Sequence, residues 1–142
     1  MKQVNRWIVA VLVAVGLQLM ACQSHHAGHH AEHPAEVEKV PGTDVSKVTL
    51  TEMAMKRIAV ETAQVSEQSG QKTVPYSSLI YDPKGQTWVY TSPQPRTFVR
   101  QKVEVNKING DTAVLQNGPP AGTMIASVGV AELYGTEFKV GH

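Results

Sequence analysis

The chain has 142 residues, a formal net charge of +1, 42% apolar residues and one cysteine. That length leaves room for one small domain, and one cysteine excludes an internal disulfide, so the domain must be held by its apolar core. A near-neutral chain with no basic cluster argues against nucleic-acid binding.

The chain opens Met1-Lys2-Gln3-Val4-Asn5-Arg6, continues with an almost wholly apolar run from Trp7 to Leu19, and reaches Leu19-Met20-Ala21-Cys22. A basic start, a short apolar stretch and a small residue before the cut have the layout of a secretory signal peptide. The run is short for a transmembrane helix, which needs roughly 20 residues. Leu-x-Ala-Cys resembles the lipobox of bacterial lipoproteins, which implies cleavage before Cys22 and a covalent lipid on its thiol. An uncleaved anchor is the alternative, and either way the chain is expected to be membrane-attached and to face outward. Loss of 1–21 removes Lys2 and Arg6 and takes the formal charge from +1 to −1.

Residues 22–46 hold Gly28, Pro34, Pro41 and Gly42 and few large apolar side chains. Such a stretch cannot bury enough surface to offset its ordering entropy, so a flexible, disordered tail is expected. It carries His25, His26, His29, His30 and His33, five of the six histidines. Neutral imidazole suits Cu, Zn, Ni or Co ions, and histidine-rich tracts commonly bind metal. His25/His29, His26/His30 and His29/His33 are spaced i, i+4 and would share a face if the segment became helical on binding. Glu32 and Glu36 could add oxygen ligands. The competing reading is a polar spacer that gains charge in acid.

The folded part is expected over 47–142. Thr51 suits an N-cap, Glu52 the positive end of a helix dipole, and Leu50 can pack on Met55 in a hydrophobic staple, so a short helix is predicted over Glu52–Arg57. The alternation from Ile58 to Val65 has strand period. Ser66 to Gln71 reads as a loop, followed by strand patterns over Lys72 to Val74 and Ser77 to Tyr81. Asp82-Pro83-Lys84-Gly85 is a turn signal. Thr87 to Thr91 reads as a strand, broken by Ser92-Pro93-Gln94-Pro95. Arg96 to Val105 is a strand, Asn109-Gly110-Asp111 a tight hairpin turn, and Thr112 to Leu115 the strand returning from it. A wide loop over Asn117 to Gly122 leads to a strand over Thr123 to Val128, and Ala131 to Tyr134 can form a helical turn.

Several short strands at close spacing with one short helix predict a mainly β domain, a small antiparallel barrel or sandwich. Trp88, Tyr90 and Phe98 read as packing. Met53 and Met55 carry thioethers that can bind Cu(I), although Met55 is also the staple partner. No nucleophile has a base in its motif, so the chain does not read as an enzyme.

Val74-Pro75-Tyr76-Ser77-Ser78-Leu79-Ile80-Tyr81-Asp82-Pro83-Lys84-Gly85, followed by Thr87-Trp88-Val89-Tyr90, resembles the C-terminal region of periplasmic adaptor subunits (membrane fusion proteins) of RND efflux pumps. Pro95 to Arg100, Asn109-Gly110-Asp111, Gly118 to Gly122 and Val128-Gly129 continue the likeness in order. Glu132 to Phe138 and Gly141-His142 resemble the end of heavy-metal-type adaptors, and Leu50 through Ala63 the opening of their folded body. Full adaptors insert three further domains between these segments, where this chain has only Ser66 to Lys72. The resemblance implies the membrane-proximal domain alone, without the hairpin that reaches an outer-membrane channel.

These readings together lead to the expectation of a lipoprotein accessory to RND heavy-metal efflux, capturing metal through its tail and docking on a pump or full-length adaptor. The alternatives are a periplasmic metal buffer or chaperone with no pump partner, and a structural efflux component with no metal role. Gln23 is not the aspartate that retains many lipoproteins in the inner membrane, whereas an RND partner favours that membrane, so the choice of membrane stays open.

Overall fold

The structure, a computed structural model, describes residues 33–140. It is mainly β, a nearly closed antiparallel barrel-like sheet, as the sequence predicts. Strands β1 (Ala35–Lys39) and β2 (Ser46–Leu50) form a hairpin, and α1 (Glu52–Arg57) follows. Then come β3 (Glu61–Gln64), β4 (Ser66–Gln68), β5 (Gln71–Pro75), a 3₁₀ turn at Tyr76–Ser78 and β6 (Ile80–Tyr81). β7 (Thr87–Gln94), β8 (Thr97–Asn109), β9 (Thr112–Asn117), β10 (Met124–Val128) and α2 (Val130–Phe138) complete it. The main strand order is β3-β10-β7-β8-β9-β5-β4, with the β1–β2 hairpin laid on β8 through β2.

Both faces of the central strands are covered, because adjacent strand residues point to opposite sides. Val89 and Ile125 enter one core with Val65, Val74, Val103 and Leu115. Their neighbours Tyr90 and Ala126 enter a second core with Val48, Leu50, Phe98 and Leu133. The second core is closed by α1 and α2. In α2, Val130, Leu133 and Glu137 are buried at helical spacing.

Helix α1 starts as expected, with the Thr51 hydroxyl accepting from the Ala54 N–H at 3.1 Å. Leu50 is buried and Met55 packs on the same core, as the staple requires. The strand predicted from Ile58 begins later, at Glu61. Ile58 caps α1 instead, Ala59 takes the left-handed conformation (φ +49°), and the Val60 N–H donates back to the Met55 carbonyl at 3.2 Å.

Five other stretches differ from the sequence reading. The strand expected from Ser77 begins only at Ile80, because Tyr76–Ser78 forms a 3₁₀ turn. Residues 35–39, read as part of the tail, are a strand: Ala35 and Val37 pack inward while Glu36 and Glu38 alternate outward. Pro41 and Gly42 belong to its hairpin turn, closed by the Val40 N–H donating to the Val45 carbonyl at 3.0 Å. The loop expected at Ser66 to Gln71 is the β4–β5 hairpin, whose turn residues Ser69 and Gly70 both have positive φ, the geometry favoured in two-residue hairpins. Pro93 does not end β7. It lies where the β7–β8 register shifts, between Thr91 and Gln94, so no ladder donor is required of it. The helical turn expected near Ala131 is a full helix.

Candidate functional site

Most of the expected metal tract falls outside the described residues: Cys22, His25, His26, His29 and His30 lie there, as does His142. His33 is described and exposed, just ahead of β1. Among the described residues, no group of three or more His, Cys, Asp or Glu side chains is placed to hold a metal ion. Met53 and Met55 are two apart on α1 and so point about 200° from each other around the helix. Met53 is 69% exposed while Met55 packs on the core, so they do not form a two-thioether site.

The fold does assemble a buried polar cluster on the face under α2. Tyr90 and Arg100 stand directly opposite each other across β7 and β8. The Glu137 side chain, 1% exposed, comes down on both. Its Oε2 accepts from the Tyr90 hydroxyl at 2.6 Å and from Arg100 Nε at 2.9 Å. Its Oε1 accepts from the Ser46 N–H at 3.0 Å and from Arg100 Nη2 at 3.3 Å. The guanidinium lies 4.2 Å from the Trp88 ring centre and 5.0 Å from that of Phe138.

Four donor atoms occupy the two oxygens of that carboxylate. Burial, then Glu137, pushes the Tyr90 phenol far above its usual range, so it remains a proton donor to the carboxylate. The cluster is a pin that fixes the β1–β2 hairpin, β7, β8 and α2 to one another. Tyr90 and Phe98 are packing residues, as read from the sequence, while Trp88 also donates its indole N–H to Asp82 at 3.1 Å. The sequence reading missed Glu137. Its signal was position alone, four residues after Leu133 and seven after Val130 on the same helical face.

A groove of about 560 Å³ opens between β1, α1 and α2. Its walls include Ala35, Val37, Leu50, Ala54 and Ile58. His33, Arg57 and Lys139, all exposed, also line it, and no carboxylate does among the described residues. The two helices meet beside it at Gly129, where an added Cβ would stand 3.0 Å from the Ile58 carbonyl oxygen and from the Val60 side chain. Compared with known proteins, the chain matches no family model, no curated protein and no solved structure.

Proposed function

We propose that this chain is a non-enzymatic lipoprotein accessory to RND-type heavy-metal efflux, held on the periplasmic face of a bacterial membrane by a lipid on Cys22. The tail captures Cu, Zn, Ni or Co through His25, His26, His29, His30 and His33. The β domain docks on a pump or full-length adaptor. The observation that carries the reading is the position of five histidines within 25–33, between a lipidation-type cysteine and a folded domain. Tethering raises the local concentration at the membrane, so weak docking contacts suffice.

The architecture supports the domain part of this reading. The two segments that resemble the start and end of adaptors join in one sheet through β2–β8 and β3–β10, and the β4–β5 hairpin closes the place where adaptors insert their other domains. A chain whose two parts already meet keeps its core without the insertion. Deletion of the gene should lower tolerance to one ion, and a pump or adaptor subunit should co-purify with the tagged protein. Unchanged tolerance with no efflux component recovered would contradict the proposal. Lowered tolerance without a partner would favour the metal-buffer reading, and co-purification unaffected by loss of the five histidines, with tolerance intact, the purely structural one.

A further inference from the structure

The groove between β1, α1 and α2 has the chemistry of a site for an amphiphile. Its volume of about 560 Å³ lies within the roughly 300–1,000 Å³ of ordinary ligand sites. Ala35, Val37, Leu50, Ala54 and Ile58 give it apolar walls suited to a hydrocarbon chain. Arg57 and Lys139 stand at its exposed edge, and neither is in an ion pair among the described residues. Met53, one helical turn before Arg57, and Val140, next to Lys139, are both exposed at about two thirds of their surface (69% and 68%). Apolar side chains beside unpaired cations are the composition that binds anionic lipid surfaces.

The groove also adjoins His33, the first described residue after the expected anchor. The eleven residue-to-residue steps from Cys22 to His33 span at most about 40 Å when fully extended. The domain is therefore always within reach of the bilayer that holds Cys22.

The geometry points to a lipid site: the groove takes an acyl chain of an anionic phospholipid from the anchoring membrane, with Arg57 and Lys139 on the phosphate. This inference rests on the lipid anchor at Cys22, not on metal capture or pump docking. Occupancy would orient the domain with β1, α1 and α2 toward the membrane and leave the β4–β5 hairpin free of lipid.

The test uses the full mature chain in phosphatidylcholine vesicles doped with phosphatidylglycerol that carries a photoactivatable acyl chain. Adducts should concentrate on 33–37, 50–58 and 136–139. They should fall about fivefold with either Arg57→Gln or Lys139→Gln, near the roughly fivefold that one surface charge contributes. Both positions are exposed, so neither change threatens folding. The inference is overturned by adducts as dense on the β4–β5 hairpin as in the groove. Equal labelling from a phosphatidylcholine probe, or labelling indifferent to the two substitutions, overturns it as well. Intact mass is measured on the same sample. An unmodified Cys22 overturns the anchor and this inference together, whereas a lipidated Cys22 with an unlabelled groove overturns this inference alone.

Discussion

Replacing Glu137 by Gln removes a buried charge while keeping the side chain's size. The guanidinium of Arg100, whose side chain is 5% exposed, then has no counter-charge. A partner amide nitrogen also faces donors that formerly met a carboxylate oxygen. Breaking a buried pair from one side costs about 3–5 kcal/mol. A domain of this size has a total stability of about 5–15 kcal/mol. The loss is therefore a large share of what holds the fold. With a urea slope of about 1–3 kcal/mol/M, it lowers the unfolding midpoint by about 2 M. Trp88 packs on Arg100 and is the one tryptophan in 22–142, so its fluorescence reports the transition. Substituting both partners, Arg100→Met with Glu137→Leu, removes the stranded charge but leaves the Ser46 N–H and the Tyr90 hydroxyl without their acceptor, so it should recover only part of the midpoint. A loss below about 1 kcal/mol for Glu137→Gln, or a double variant no better than the single one, would refute the reasoning.

Four further outcomes are expected. Desolvation works to raise the Asp82 carboxyl, but the Gln86 N–H, the Trp88 indole N–H and the Lys84 N–H outweigh it and hold its pKa below the ordinary 3.8. A depressed acid adds stability that is complete above its unfolded pKa and is lost as pH falls through the folded one. Asp82→Asn should therefore lower the urea midpoint at neutral pH, with the gap to the parent closing only below about pH 4. Gly129→Ala should cost about 2–3 kcal/mol in the same assay, because φ is +74° and the new Cβ meets the Ile58 carbonyl. Gly122→Ala, with φ +83° and nothing within 4 Å, should cost only about 1 kcal/mol. Ala59→Gly should stabilise by up to about 1 kcal/mol, since Ala59 already holds the left-handed position that ends α1.

What the sequence revealed was mostly local. Thr51, Leu50 and Met55 lie within five residues of one another and specify the start of α1 between them. Gly110-Asp111 and Asp82 to Gly85 fix their turns locally, by positive φ at Gly110 and Gly85 and by the N–H groups of Lys84 and Gln86 donating to the Asp82 side chain. The β class followed from the spacing of apolar and β-branched runs. The rest depends on partners far away in the chain. Val37 alone is a weak strand signal, and β1 exists because β2 offers it a ladder and α2 lies alongside. Glu137 bonds the backbone of Ser46, 91 residues away, and nothing in Gly-Thr-Glu-Phe marks it as buried. The groove is likewise assembled from residues as distant as Ala35 and Lys139. The expected ligand tract has the opposite character: its warrant is composition alone, and only His33 lies among the described residues.

Metal capture is the central claim, and it is tested most directly by titrating the mature chain with Cu(I), Cu(II), Zn(II) and Ni(II) beside a variant with His25, His26, His29, His30 and His33 all replaced by Ala. Submicromolar binding of one preferred ion, lost in the variant, is the predicted result. Weak, unselective binding that is the same in both proteins would contradict it.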